Sequence, residues 1–254
     1  MFRVQHWLWG QTLAVKIFHD KDAWRRELNN LTFLTHPNIV RMFHIVYETL
    51  EDRAQSCPPL GFSMELMARS AADVSDYTHE QLLAVFQQIA SALTFAHRQG
   101  VIHFDVKPEN ILLDHSCTVA KLCDFGWAHK LHTASESARS ASVTPGQHRG
   151  TVFYMAPEAF DPKFTSSPRS KLCDIYSFGK TMWKLLHPKL EVVPNKAKLV
   201  SATLPPALAP LKELVEQCMA KDPSLRPQEM SAVLERLQGI QAALQLQSVS
   251  IELN

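Results

Sequence analysis

The sequence predicts an α+β fold in two unequal parts, a small β-rich part followed by a larger, mainly helical one. Three observations carry this. Short apolar runs, Leu13–Phe18 and Gly61–Met67, have the length and flanks of strands and precede Ala68. Further on, three stretches repeat apolar residues at helical spacing: Leu82, Phe86, Ile89, Leu93 and Ala96; Ile175, Phe178, Met182 and Leu186; Met230, Val233, Leu237 and Ile240. Between the two regimes a polar loop, His103 to Asn110, interrupts the β-rich flanks Val101-Ile102 and Ile111-Leu112-Leu113.

Composition narrows the function classes. A chain of 254 residues is long enough for one large domain or two lobes with cores of their own. Hydrophobic residues make up 46% and charged residues 20%, an ordinary balance for a globular protein. A net charge of +1 gives no bulk attraction to nucleic acid or to an acidic membrane, so neither is an expected partner. The five cysteines are scattered and form no C-x-x-C pair, which argues against a zinc site and a disulfide framework. A reducing compartment fits them, and a cytoplasmic or nuclear protein is expected. No apolar run approaches the roughly 20 residues of a membrane span, and the first residues lack the order of a signal peptide. No internal repeat is visible, and oligomeric state is not legible.

Along the chain, Val4, Trp7, Leu8 and Trp9 lead to a turn at Gly10. Leu13-Ala14-Val15-Lys16-Ile17-Phe18 reads as a buried strand; taken alone, Lys16 is as well a solvated strand charge. Asp22 to Leu34 is helical, with Trp24, Leu28, Leu31 and Leu34 apolar and Glu27 among them, and His36-Pro37-Asn38-Ile39-Val40 follows. Glu48 to Pro59 is polar with paired prolines and reads as a loop. Gly61 to Met67 is a strand running into a linker. Thr78 and Gln81 have capping-box spacing at the start of a long helix. The loop His103-Phe104-Asp105-Val106-Lys107-Pro108-Glu109-Asn110 gathers His, Asp, Lys and Asn; on its own it also reads as a turn with Asp and Asn as turn formers. Val119 to Cys123 is a strand ending in Asp124-Phe125-Gly126. Trp127 to Arg149 is rich in Ser, Thr, Ala and His and reads as a loop, ending in Gly150-Thr151-Val152-Phe153-Tyr154-Met155-Ala156-Pro157-Glu158. Lys171 to Leu186 is a helix containing Asp174-Ile175-Tyr176-Ser177-Phe178-Gly179, and Cys218 to Pro227 precedes the last helix. Gln241 to Asn254 is expected to extend that helix and fray into a tail.

These motifs, in this order and covering residues 4 to about 240, resemble those of eukaryotic protein kinases. His103 to Asn110 is similar to the catalytic loop H-R-D-x-x-x-x-N, with Phe104 in place of the usual Arg. The resemblance implies a bilobal kinase fold over 1–240, with 1–67 as the smaller lobe, 68–240 as the larger and 241–254 as a tail. It implies that Asp105 is the catalytic base, that Lys107 offsets charge on the transferring phosphoryl, and that Asn110 and Asp124 are Mg²⁺ ligands. Lys16 would grip the ATP α- and β-phosphates and pair with Glu27. Met64 would be the gatekeeper, the backbones of Glu65 and Met67 would receive the adenine, and Leu112 would pack beneath it. Val4 falls where the Gly-rich loop G-x-G-x-x-G-x-V ends, and Ala14 sits two positions before Lys16 in the V-A-I-K-like strand. No glycine precedes Val4, so a shortened chain is expected in preference to true loss of that loop.

The resemblance further implies that Asp174 braces the catalytic loop, that Arg226 pairs with Glu158, and that the chain uses ATP and Mg²⁺ to phosphorylate a protein substrate. Thr151 and Lys107 are typical of Ser/Thr rather than Tyr kinases. Glu27-Leu28-Asn29, the His-x-Asp loop and Asp174 to Phe178 resemble Mos-type kinases and their tyrosine-kinase-like neighbours. A pseudokinase or scaffold is the alternative, favoured by the missing glycines and opposed by the retained polar set; the peptide-docking character of Gly150 to Glu158 disfavours a small-molecule kinase. Because Phe104 carries no charge or donor, phosphates on Ser140, Ser142 or Thr144 are expected to matter little.

Overall fold

A computed structural model describes residues 2–5, 10, 12–47, 49, 53, 59–130, 151–189 and 208–252. The expected features at Trp7 to Trp9, at Ser140, Ser142 and Thr144, and most of the Glu48–Pro59 loop lie outside them.

The smaller lobe is a four-stranded antiparallel sheet, β1 (Phe2–Gln5), β2 (Thr12–Ile17), β3 (Met42–Val46) and β4 (Gly61–Glu65), in the order β1-β2-β4-β3. The register sets Val4 opposite Leu13, Ala14 opposite Met64 and Lys16 opposite Phe62. β4 has to begin with glycine: a Cβ at Gly61 would lie 1.9 Å from the Lys16 carbonyl oxygen. Gly10 has φ +64°, as the expected turn requires. β3 escapes sequence reading because its register breaks between Met42 and His44 and its burial does not alternate.

Helix α1 (Lys21–Leu31) stops three residues short of the expected end, where Leu34 N–H turns back onto the Leu31 carbonyl at 3.0 Å. The segment after it is sewn to the larger lobe. Val40 N–H donates to Leu122 O (2.9 Å), and Leu122 N–H donates to Asn38 O (2.8 Å).

The larger lobe is mainly helical. After β5 (Arg69–Ser70), α2 (His79–Arg98) opens with the anticipated capping box: Gln81 N–H donates to Thr78 Oγ1 (3.1 Å), and Thr78 N–H donates to Gln81 Oε1 (2.9 Å). Short strands β6 (Val101–Ile102), β7 (Ile111–Leu113), β8 (Ala120–Leu122) and β9 (His129–Lys130) form two small sheets, β5-β7-β8 and β6-β9. They pin both ends of the polar loop. After a one-turn helix, α3 (Pro162–Thr165), comes α4 (Lys171–Leu186). Its burial is nearly all-round, from Leu172 to Trp183 without a break, so it is the central helix and not the one-sided one that Ile175, Phe178 and Met182 suggest. Phe178 meets Phe86 of α2 edge-on, with centroids 6.3 Å apart. α5 (Ala209–Cys218) lies close enough to α4 that a Cβ on Gly179 would come within 2.7 Å of Cys218 Cβ. α6 (Met230–Glu252) packs on α2, where Gln87 Nε2 donates to Leu237 O at 3.1 Å, and past residue 240 it continues as the expected extension of that helix. No helix among the described residues is long and apolar enough to cross a membrane.

Candidate active site

The polar loop is positioned from the central helix. Asp174 on α4 is fully buried, and its Oδ2 accepts His103 N–H and its Oδ1 accepts Phe104 N–H, both at 2.8 Å. His97 Nε2 is 2.8 Å from the same Oδ2. These bonds hold Phe104 at φ +61°, a left-handed conformation costly for any side chain other than Gly, Asn or Asp. The loop then folds on itself. His103 Nδ1 accepts Asp105 N–H (3.2 Å), so its Nε2 is left to donate to Cys123 O (3.0 Å), and its ring meets Phe125 at 4.6 Å.

Asp105 is buried, at 3% exposure. Its Oδ2 receives Asn110 Nδ2 (2.9 Å) and the Lys107 ammonium (2.7 Å). Its Oδ1 has no hydrogen-bond partner among the described residues. A buried carboxylate oxygen left open in this way is an acceptor waiting for a donor. Asn110 spends its Nδ2 on Asp105, also donating to the backbone oxygen at 2.8 Å, so its Oδ1 remains for another group.

The other half of the site is built on β2, α1 and the turn after β8. Lys16 Nζ donates to both Glu27 oxygens (2.8 and 2.7 Å) and to Asp124 Oδ1 (2.9 Å). One ammonium thus bridges two carboxylates. Burial pushes the Glu27 carboxyl up to about 7, with Asp124 adding to the rise and Lys16 opposing it. For Asp124 burial also pushes upward, but Lys16 outweighs it and the group stays below the ordinary carboxylate value. Burial alone would lower the Lys16 ammonium; Asp124 and Glu27 overcome that and hold it above its usual value. Asp124 is itself left-handed, at φ +62°, and Phe125 behind it is completely buried.

Sequence reasoning missed Asn30. One turn after Glu27 on α1, its amide donates to Phe125 O (3.1 Å) and Ala128 O (2.8 Å), using both hydrogens to tie the helix to the Asp124 turn. Its three-residue spacing from Glu27 was the available signal.

Lys16, Glu27, Met64, Asn110, Leu112 and Asp124 surround one cavity, together with Leu31, Val40, Met42, Phe62, Glu109 and Cys123. Val4, Ala14, Glu65 and Met67 do not line it, and Asp105 and Lys107 reach it only through Asn110, which donates to Asp105. Val4 is 39% exposed on β1 and Ala14 is buried in the sheet. The Glu65 side chain is engaged instead by Lys121 Nζ, 2.8 Å from each oxygen, and by Arg41 N–H. Its amide donates to Arg41 O (3.0 Å), so its carbonyl is the only backbone group it could offer a ligand. Below the cavity, Arg226 pairs through NH1 and NH2 with Glu158, the latter at 3.0 Å. The same guanidinium donates to Ala220 O (2.8 Å) and Leu172 O (2.9 Å).

The protein kinase domain family matches residues 3–237. Among similar proteins, the serine/threonine protein kinase OSK3 of Oryza sativa is 28% identical over 245 residues, 87% of this chain and 44% of its own length. The receptor-interacting serine/threonine-protein kinase 3 of Homo sapiens is 30% identical over 249 residues, 89% of this chain and 46% of its own. The cytokinesis protein sepH of Aspergillus terreus is 33% identical over 242 residues, 89% of this chain and 16% of its own. The chain thus spans less than half the length of each of these relatives. With its sheet-plus-α1 lobe, its helical lobe and its polar loop between them, the chain belongs to the protein kinase domain family.

Proposed function

We propose that the chain is a serine/threonine protein kinase that transfers the γ-phosphoryl group of ATP to hydroxyls of a protein substrate, in an intracellular signalling role. One observation carries the reading: Asn110, which lines one cavity with Lys16, Glu27 and Asp124, also donates to the buried Asp105 carboxylate, whose Oδ1 is open among the described residues. The family match and the serine/threonine kinases among the relatives support it.

Each residue has a task set by its surroundings. Asp105 Oδ1 takes up the acceptor hydroxyl proton, while Asn110 and Lys107 hold the opposite oxygen and fix the carboxylate plane. Lys107 then lies beside the transferring group and offsets its charge. Lys16, steadied by Glu27, presents its ammonium to the nucleotide phosphates at little reorganisation cost. Met64 and Leu112 line the cavity, where they would frame the base. The donor set fits a hard divalent cation: Asn110 keeps Oδ1 for it, and Asp124 commits only Oδ1 to Lys16. When bound there, Mg²⁺ would neutralise phosphate charge and orient the triphosphate.

Phosphorylation of a peptide library by the purified chain tests this, beside Asp105→Asn. Loss of the general base should lower turnover by about 10²–10⁴-fold, with the thermal shift induced by ATP and Mg²⁺ retained. Nucleotide binding without turnover in the unmodified chain would instead identify a scaffold, and wild-type turnover in Asp105→Asn would remove Asp105 from the chemistry.

A further inference from the structure

Lys180 stands on the central helix with 1% exposure, where an aliphatic side chain would pack without cost. Its Nζ donates to the carbonyl of Phe153 at 2.7 Å. The ammonium also lies 5.5 Å from the centre of the Tyr176 ring, and the Arg226 guanidinium lies 4.8 Å from the same ring. Arg226 in turn holds Glu158. Two buried cations, sharing one aromatic ring, therefore grip the stretch Thr151–Phe160 at two points, Phe153 and Glu158. At and beside these grips the stretch turns apolar side chains outward: Val152 is 47% exposed, Phe153 53% and Phe160 52%.

The next residue on the helix makes the connection to the chemistry. Thr181 Oγ1 shares its one hydrogen between Ser177 O of its own helix at 2.8 Å and Val106 O at 3.2 Å, and Val106 directly follows Asp105 in sequence. Consecutive residues of one helix thus reach both loops, Lys180 holding Phe153 at 2.7 Å and Thr181 touching Val106 at 3.2 Å. Burial draws the Lys180 ammonium below its usual pKa, a desolvation that the Phe153 carbonyl and the Tyr176 ring offset.

We infer that Lys180 is a positioning residue: with Thr181 it fixes the register of the Thr151–Phe160 loop, and so of an acceptor peptide lying against Val152 and Phe153, relative to Asp105. The inference rests on the kinase reading above for its peptide, though not for its anchor. A loop held from beneath in this way has a fixed point that does not depend on a phosphate.

Lys180→Met in the full chain tests it, since methionine keeps the packing and removes the charge and the donor. The KM for an acceptor peptide should rise at least tenfold while the KM for ATP stays within twofold. Hydrogen exchange should quicken in 151–158 and stay unchanged in 101–113. Wild-type exchange in 151–158 overturns the anchor whatever the kinetics show. Faster exchange with an unchanged peptide KM, or with equal rises in both KM values, overturns the positioning role. If the unmodified chain turns over no peptide, the kinase reading fails and the peptide-positioning role with it, while exchange still decides the anchor. Should Lys180→Met fail to fold, Lys180→Gln is held to the same outcomes.

Discussion

Asp174→Asn separates the geometry of the catalytic loop from its chemistry. The substitution keeps the size of the side chain and removes its charge. His103 N–H and Phe104 N–H bind different oxygens, each at 2.8 Å, and an amide turns one of those positions into a donor that faces an N–H. Hydrogen bonds to a charged acceptor are worth about 1.5–3 kcal/mol each and neutral ones about 1 kcal/mol. Losing one bond and weakening the other removes about 2–4 kcal/mol. Phe104 at φ +61° stores about 1–2 kcal/mol of left-handed strain, which those bonds hold in check. The loss exceeds the strain, so Phe104 should leave its left-handed well and carry Asp105 with it. At about 1.4 kcal/mol per tenfold, kcat should fall by roughly 30- to 1000-fold. Nucleotide affinity should hold, because neither Lys16 nor Asp124 bonds to Asp174. Peptide kinetics beside a direct nucleotide titration measure the two separately. A kcat within threefold of the unmodified chain would refute the reasoning. Adding Phe104→Asn, which tolerates the left-handed well, should recover at least threefold of the loss.

Arg226→Met should destabilise the chain by about 3–5 kcal/mol in equilibrium unfolding, because it strands the partly buried Glu158 carboxylate and several buried carbonyls at once. In the absence of nucleotide and metal, Glu27 has a folded-state pKa raised to about 7, chiefly by burial. Its contribution to stability is then full below its unfolded value near 4.5 and is lost as pH rises through about 7. Glu27→Gln should therefore flatten the fall of melting temperature across that window, and an unchanged slope would assign the fall to another group. Asp124→Ala should abolish the Mg²⁺-dependent part of the ATP-induced thermal shift, which a titration with and without EDTA resolves.

What the sequence made legible was either local in sequence or carried by a motif. The α2 start was readable because Thr78 and Gln81 satisfy each other across three positions. Asp105, Lys107 and Asn110 were readable because the loop that unites them is six residues long from first to last. Lys16, Glu27 and Asp124 came from spaced motifs and meet as the resemblance implied. What stayed hidden depends on partners far along the chain that carry no side-chain signature. Asn30 binds two backbone carbonyls, and a carbonyl looks the same at every residue. Lys180 interrupts an apolar helix, and sequence alone does not say that its partner is the Phe153 carbonyl. The Glu65 side chain is drawn to Lys121 by a packing of lobes that no periodicity encodes. β3 fails for a different reason: its bulge breaks the alternation on which strand reading relies.

The stitching of the two lobes has a mechanical consequence. Lys121 and Leu122 are neighbours on β8, and each is pinned to the smaller lobe, Lys121 to Glu65 and Leu122 to both Asn38 and Val40. Pins set side by side along one short strand oppose sliding and leave pivoting as the cheap motion. Strand β8 is then where an axle would lie, and the ties from Lys16 to Asp124 and from Asn30 to Phe125 and Ala128 would resist a rocking of the smaller lobe on it. Points at the axle scarcely travel, while points further out sweep the widest arc. Of the pins on β8, the Glu65–Lys121 pair is the ion pair, at 21% and 17% side-chain exposure, and with Lys16–Asp124 it is a tie between the lobes that loosens as salt rises. The stiffness of the rocking, and with it the rate at which the cleft lets a nucleotide go, should answer to ionic strength, while the axis itself, held by backbone bonds, stays where it is.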